Sequence, residues 1–102
     1  MEHARDMAER GYFDHVTPDG RKPTDRLART GYEWSLTGEN IAKGEMSAEE
    51  AMRGWLASAG HCANIMDPRF TEMGFGLAEG DARGAVYWVQ TFAAPRGEAE
   101  AR

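Results

Sequence analysis

Three side chains, those of His15, Glu39 and His61, have types that suit metal or acid-base chemistry, and each lies at the end of a predicted element. His15 comes just before a Pro-Asp-Gly turn signal, Glu39 lies in a Gly-Glu-Asn sequence, and His61 follows a glycine at the end of a helix. Two neutral imidazoles and a carboxylate suit Zn²⁺, which takes three protein ligands and a water in open sites. Spacing along the chain does not show that the three meet, since a histidine near a helix end more often contacts the last carbonyls or solvent.

Two other side chains near His61 could act as nucleophiles, and a structural role is favoured for both. A hydroxyl needs an adjacent base to attack, and Ser58 precedes His61 by three residues, but no strand-to-helix elbow surrounds it. Cys62 is adjacent to His61, yet neighbouring residues on a turn point in different directions, which favours a half-buried structural thiol. His3 lies in the first predicted helix, where a ligand role is not favoured.

The first half of the chain is predicted to contain two short helices and a capped longer one. Residues 2–10 form a helix closed by Gly11, and a second helix begins at Pro23 and ends at Thr30 before Gly31. Residues 32–44 are interpreted as a loop entering a short strand. Ser47 and Glu50 form a capping box for a helix that ends at Ala59-Gly60. The apolar stripe of this helix comprises Ala48, Ala51, Met52, Trp55 and Leu56.

The last third of the chain changes from helical to strand periodicity. One further helical turn is expected over residues 61–66, because a helix normally stops before the residue that precedes a proline, here Pro68. Residues 73–78 and 86–92 then alternate with period two around a turn at residues 80–84, which predicts an antiparallel hairpin. The small residues Gly74, Gly76 and Ala78 share one face, so a helix or the Trp88 ring is expected to pack closely there.

Composition limits both the number of domains and the kind of partner. The 102 residues allow one domain, expected over residues 1–95, with a loose tail over residues 96–102. Twelve Lys and Arg against seventeen Asp and Glu give a net charge of −5 without a basic stripe, so nucleic acid is not an expected partner. No stretch approaches the roughly 18 apolar residues of a spanning helix. The single cysteine cannot form an internal disulfide.

Several motifs occur in an order that is more specific than any one of them. In chain order they are Asp6-Met7-Ala8, Gly11-Tyr12-Phe13-Asp14-His15, Gly38-Glu39-Asn40-Ile41-Ala42, Trp55 with Ser58, Gly60-His61, Asn64-Ile65, Gly74-Phe75-Gly76 and Tyr87-Trp88-Val89-Gln90-Thr91-Phe92. Up to about Ala94, the chain closely resembles the bacterial branch of the CAP superfamily, the SCP-domain proteins that include cysteine-rich secretory, antigen-5 and pathogenesis-related proteins. The resemblance implies an α+β fold, an α-β-α sandwich with a small antiparallel sheet and a central cleft, in a secreted or cell-envelope protein.

The resemblance also implies a ligand set in that cleft, where many members carry two histidines and two acids that can hold a divalent cation. By motif, His15, Glu39 and His61 match three of these positions, and Ser58 stands where many eukaryotic members have the second acid. The implied cation is Zn²⁺ ahead of Ca²⁺ or Mg²⁺. Cys62 stands where similar bacterial sequences commonly have a basic residue, which adds a soft candidate ligand. The same motifs place four further residues along the cleft, namely Asn40, Trp55, Ser58 and Asn64.

Three functional hypotheses follow from these residues. The favoured one is a non-catalytic extracellular binding module whose cleft holds a cation, a small molecule or a cell-wall fragment. The first alternative is a metal-dependent hydrolase in which His15 and His61 hold Zn²⁺ and Glu39 acts as ligand or general base. The second alternative is a lipid or sterol binder with an aromatic-lined groove formed by tryptophans 34, 55 and 88. The resemblance implies that Met1 falls inside the second helix of such domains. Either the chain is a fragment, or the apolar surface left by the first helix is covered otherwise, for example by a second copy in a homodimer.

Overall fold

The computed structural model describes residues 2–44, 47–80 and 85–95. In chain order its elements are α1 (Glu2–Arg10), α2 (Pro23–Arg29), β1 (Trp34–Gly44), α3 (Ala48–Ala57), α4 (Ala59–Met66), β2 (Glu72–Glu79) and β3 (Val86–Pro95). The three strands form one antiparallel sheet in the order β1-β3-β2. This arrangement confirms the predicted α+β class with a small antiparallel sheet.

Two core clusters show that helices cover both faces of the sheet. On one face, Ala4 and Met7 of α1 pack against Ile41, Tyr87 and Val89 of β1 and β3. On the other face, the buried residues of α3 pack against the sheet residues whose side chains alternate with that set. These residues are Ala51, Trp55 and Trp88, with Ala42, Ile65 and Val86 beside them. The fold is therefore the predicted α-β-α sandwich.

The first two helices begin and end where the sequence predicts. Gly11 and Gly31 follow α1 and α2 with φ angles of +68° and +82°, in the left-handed region that favours glycine. Pro23 opens α2, and the backbone N–H of Lys22 donates to Asp25 at 2.9 Å. Local sequence therefore fixes both boundaries. No helix within the described ranges is both long and apolar enough to cross a membrane.

The third helix confirms its predicted cap but ends earlier than expected. Ser47 Oγ accepts from the backbone of Glu50, whose carboxylate accepts from the backbone of Ser47. The prediction that α3 continues to Ala59-Gly60 is wrong, because Ser58 adopts an extended conformation that ends α3 and begins α4. The single helical turn expected over residues 61–66 is thus part of an eight-residue helix, α4. The predicted stripe is also interrupted, since Leu56 is 46% exposed.

The prediction of a short strand preceded by a loop at residues 32–44 is wrong. β1 has eleven residues and pairs with β3 from Trp34↔Pro95 to Gly44↔Val86. The partner lies about fifty residues later in the chain, so local patterning around Gly38 did not reveal the strand. A glycine is suited to position 38 of the strand because the Phe70 ring and the Asn64 side chain lie close to where a Cβ would be.

The predicted hairpin is confirmed, with β2 pairing to β3 from Glu72↔Ala93 to Glu79↔Val86. As expected, a helix packs against the face of β2 that carries the small residues. Ala78 on this face packs against the cluster that includes Ala4 and Met7 of α1. Most of the predicted turn (residues 81–84) and the predicted tail at residues 96–102 lie outside the described residues.

Candidate functional site

His15 lies in the loop between α1 and α2, and hydrogen bonds within this loop hold it in shape. The backbone N–H of Gly20 donates to the Thr17 carbonyl, and that of Thr17 donates to the Arg21 carbonyl, both at 2.9 Å. Thr17 Oγ1 also donates to Asp19 at 2.6 Å. These bonds form the turn that the Pro-Asp-Gly sequence predicts, and they place His15 at its entrance.

Glu39 is the centre of a buried charged cluster. Its side chain is only 6% exposed, and its Oε1 lies 2.9 Å from His15 Nδ1. Its Oε2 accepts from Arg26 Nη2 at 2.6 Å, and Arg26 Nη1 donates to the His15 carbonyl at 2.8 Å. Both carboxylate oxygens therefore have strong partners, and α2, β1 and the His15 loop meet at one carboxylate.

The electrostatics of this cluster favour its charged form. Burial raises the pKa of Glu39, but the hydrogen bond from His15 and the charge of Arg26 outweigh burial, so the net pKa is lowered. The pKa of His15 is raised, chiefly by its hydrogen bond to Glu39, against the opposing effect of burial. Because a carboxylate only accepts, Nδ1 of His15 carries the proton. Its Nε2 has no hydrogen-bond partner within the described ranges.

A cleft of about 640 Å³ opens beside this cluster, between α1, α2 and the sheet. We call it the α2 cleft. His3, Arg26 and Glu39 are among the residues that line it. The aliphatic and small residues of its walls and floor include Pro23, Leu27, Met73, Gly74 and Ala93. The cleft is also lined by polar and charged residues, namely Glu2, Arg29, Thr30, Tyr32, Thr37, Glu72 and Thr91. A concave site of this size that combines apolar surface with polar groups is typical of a small-molecule site.

His3 is a buried structural residue, and its position explains how α1 supports the site. Nε2 lies 2.9 Å from the carbonyl of Asp14, so it donates that bond and fastens α1 to the residue before His15. Burial, followed by the charge of Arg26, lowers the pKa of His3, which keeps the imidazole neutral near neutral pH. The Tyr12 hydroxyl donates to Asp6 at 2.6 Å and lies 3.4 Å from His3 Nδ1.

Asn40 and Asn64 bind the helices on the opposite face of the sheet. Asn40 is fully buried, and its amide donates to the His61 carbonyl at 3.1 Å and to Gln90 at 3.2 Å. Asn64 Nδ2 donates to Asn40 Oδ1 at 2.9 Å and contacts the Glu39 carbonyl at 3.3 Å. Neither asparagine lines the α2 cleft. Their contacts show a role in fastening α4 to β1.

The remaining candidates also have partners of their own. Trp55 Nε1 donates to the Ile41 carbonyl at 3.0 Å, and its ring is buried. His61 Nδ1 lies 3.0 Å from Ser58 Oγ, across the first turn of α4. Cys62 is a free, half-buried thiol. Trp55 therefore fastens α3 to β1, whereas the contact between His61 and Ser58 lies within the start of α4.

A family model described as the cysteine-rich secretory protein family, CAP, matches residues 1–92. The chain belongs to this family. Two Bacillus subtilis proteins are similar to this CAP domain: YkwD is 39% identical over 89 residues, and YlbC, described as a membrane protein, is 35% identical over 90 residues. The matches cover 87% and 88% of the chain but 33% and 24% of those proteins, so the chain spans a third or less of the relatives it matches.

Two solved structures share the fold of this CAP domain. An extracellular SCP-domain protein from Bacillus anthracis is 34% identical with a TM-score of 0.81, over 90% of this chain and 29% of that one. An outer surface protein from Borrelia burgdorferi has a TM-score of 0.83 at 20% identity, over 93% of this chain and 69% of that one. The second likeness shows the fold alone.

The proposed ligand trio of the CAP domain is brought together only in part. His15 and Glu39 are in contact, but His61 has Ser58 and Asn40 as partners. Across residues 2–44, 47–80 and 85–95, no three His, Cys, Asp or Glu side chains are grouped so that they could hold a metal ion. As arranged, these residues do not fit a three-ligand zinc site. The cation stays a prediction.

Sequence reasoning missed two residues of the site. Arg26 occupies one oxygen of Glu39, and His3 lines the cleft while holding Asp14. Both lie in short helices whose orientation depends on tertiary packing, so their spacing from Glu39 carried no local signal. One available signal was the isolated buried acid itself, because a buried carboxylate requires a cationic partner.

Proposed function

We propose that this CAP domain is an extracellular, non-catalytic binding module that takes a small, largely apolar molecule in the α2 cleft. The observation that carries the proposal is the cleft itself, in which the apolar residues Pro23, Leu27 and Ala93 lie in one lining with the Arg26–Glu39 ion pair. Such a site gains affinity from buried apolar surface and orients its ligand through a few polar groups.

The charged cluster in the lining of the cleft supplies orientation. Arg26 is held at two points, by Glu39 and by the His15 carbonyl, so its guanidinium is fixed before any ligand arrives. A polar group of the ligand would meet a positioned donor that has lost little side-chain freedom on binding. The favoured ligand is therefore amphipathic, with an apolar body along α2 and one polar end toward Arg26.

The same contacts favour binding over hydrolysis. A general base needs a carboxylate with a pKa near the working pH, whereas the contacts with His15 and Arg26 outweigh burial and lower the pKa of Glu39. Ser58 and His61 form a pair on α4 without a described third group to orient the imidazole. These features support a module that holds its ligand unchanged.

An extracellular location is part of the proposal. It is supported by the similarity to the extracellular SCP-domain protein from Bacillus anthracis, which is 34% identical to this chain. The whole relatives are much longer, so the module would act as one domain among others.

The proposal is tested by titrating the isotope-labelled protein with decanol and decanoate and following backbone amide shifts by NMR. We expect saturable shifts concentrated around Leu27, Met73 and Ala93. Leu27→Gln should weaken binding by about tenfold, because it places an amide against the ligand's apolar body. Leu56→Gln is the matched control, since Leu56 lies on α3 and is absent from the cleft lining. Shifts spread over the surface, or equal effects of the two variants, would count against the proposal.

A further inference from the structure

The two outer strands of the sheet differ in whether other elements of the fold form hydrogen bonds with their free edges. Because β3 lies between β1 and β2, each outer strand has one edge without a described strand partner. On β1, the carbonyls of Glu39 and Ile41 accept hydrogen bonds from the side chains of Asn64 and Trp55. The two carbonyls leave the strand on the same side. Helices α3 and α4 therefore close the edge of β1.

Within residues 2–44, 47–80 and 85–95, the edge of β2 has no comparable cover. No hydrogen bond from any residue in the described part of the chain reaches the outer backbone groups of Glu72–Glu79. An edge strand with unpaired N–H and C=O groups is a ready template for another strand. Among the described residues, the outer edge of β2 is thus left for pairing, although Gly76 in the middle of the strand is buried.

One face of this edge is apolar and exposed. Met73, Phe75 and Leu77 project to the same face, and 57%, 41% and 51% of their respective surfaces are accessible. We call these three residues the apolar row. Phe75 lies against Trp55 and Trp88, with ring centroids 6.2 and 5.6 Å apart, so the row is anchored to the core. Exposed apolar rows on sheet edges mark association sites.

Acidic residues bound the row at both ends of the strand. Glu72 and Glu79 are both exposed, and Glu79 shares the face of the apolar row. Seven residue steps of roughly 3.4 Å separate them by about 24 Å. A partner strand therefore meets a negative charge at each end and apolar side chains between them.

Charge argues against a second copy of this chain as the partner. If β2 paired antiparallel with itself about its centre, Glu72 of one copy would lie opposite Glu79 of the other, twice per dimer. Like charges directly opposite each other destabilise a strand pair. The complementary partner carries Lys or Arg at those two positions.

We propose that the β2 edge binds an extended peptide segment of another protein by strand addition. The segment has apolar residues at alternate positions and a basic residue near each end. Main-chain hydrogen bonds to β2 supply part of the affinity, and the apolar row and the two glutamates supply the choice of sequence.

The test uses a capped peptide of eight residues in which valine and threonine alternate between terminal lysines, with a fluorophore for anisotropy. Two comparison peptides have either glutamate in place of both lysines or N-methyl groups on the amides that would pair with β2. We expect the lysine peptide to bind and to protect β2 amides from hydrogen exchange. The other two should bind at least about fivefold more weakly, because one reverses the charge match and the other removes the donors.

Substitutions outside the α2 cleft test whether the lysine peptide binds at the β2 edge. Leu77→Lys and Glu79→Lys should each lower the affinity for the lysine peptide by about fivefold or more. Leu56→Lys is the control, an exposed leucine of α3, and should leave affinity within about twofold. Circular dichroism and urea unfolding establish that every variant is folded.

Three outcomes would overturn the proposal. One is the absence of binding by the lysine peptide at millimolar concentration, and another is equal binding of the three peptides. The third is concentration-dependent self-association, detected by sedimentation, that is abolished by Leu77→Lys, because it would assign the β2 edge to a second copy. None of these outcomes bears on ligand binding in the α2 cleft, which is measured separately.

Discussion

The side chains of Glu39 and Asn40, neighbours in β1, leave the sheet on opposite faces, and each is the centre of the polar contacts on its own face. Glu39 holds His15 and Arg26 on the α2 side, whereas Asn40 holds α4 and Gln90 on the other. Two adjacent residues of one motif therefore fasten both outer layers to the same strand.

Replacing Glu39 tests whether the buried ion pair stabilises the fold. Glu39→Gln keeps the volume but removes the charge, which leaves Arg26 without its counterion in a largely buried place. We expect the free energy of unfolding to fall by about 1–3 kcal/mol in urea titrations. Glu49→Gln is the control, because the Glu49–Arg53 pair is exposed and its loss should change stability by less than about 0.5 kcal/mol. Equal losses would show that Glu39 does not act through burial.

The contribution of His15 to stability should depend on pH. Since the folded-state pKa of His15 is raised, its stabilising effect is complete below the unfolded value of 6.5 and is lost as pH rises through the folded pKa. The stability difference between the native protein and His15→Ala should therefore be larger at pH 5.5 than at pH 8.5. The buried His3 titrates in both proteins, so its effect cancels in the difference.

An NMR titration provides the complementary measurement on the same histidine. The His15 ring resonances should report a pKa above 6.5 in the native protein and a value closer to 6.5 in Glu39→Gln, because the hydrogen bond to Glu39 is its main cause. An unchanged pKa in the variant would show that another group controls His15.

Two glycines should respond to alanine in opposite directions. A methyl group at Gly38 would lie 3.1 Å from Cζ of Phe70 and 3.2 Å from Oδ1 of Asn64. Gly38→Ala should therefore destabilise the fold by about 1–3 kcal/mol. At Gly54, in α3, an added methyl meets nothing within 4 Å, and Gly54→Ala should stabilise by up to about 1 kcal/mol through helix propensity. Urea unfolding of both variants measures the pair.

Metal binding can be tested directly by calorimetric titration of chelator-treated protein with Zn²⁺. We expect no micromolar site that depends on both His15 and His61, since Glu39 is paired with His15 and Arg26 whereas His61 contacts Ser58. Tight binding that is lost in both His15→Ala and His61→Ala would contradict this expectation. It would show that the three residues rearrange around the ion.

The sequence predicts best where structure is decided locally. The Ser47 cap, the glycines that close α1 and α2, and the alternation of the hairpin all depend on a few neighbouring residues, and all are confirmed. The length of β1 depends on pairing with β3, far along the chain, and was underestimated. Distance in sequence, not chemistry, separates the two cases.

The candidate site shows the same difference between features set by neighbouring residues and features set by long-range packing. The contact between His15 and Glu39 agrees with the motif match, but the third partner of the cluster is Arg26, whose approach depends on how α2 packs. Asn40, Asn64 and Trp55 belong to the family motifs, and their observed contacts fasten helices to β1. Motif membership alone did not separate residues that could meet a ligand from residues that hold the scaffold.

The strand order β1-β3-β2 has a consequence for the order of events as the chain is made. The strand at the middle of the sheet is the last of the three to be synthesised, so β1 and β2 have no bridge between them until residues 86–95 are available. Helices can form before then, but the sheet cannot. A nascent chain of this protein therefore stays without its central layer until residues 86–95 emerge, and a nonsense mutation even ten residues before Pro95 would leave both outer strands unpaired.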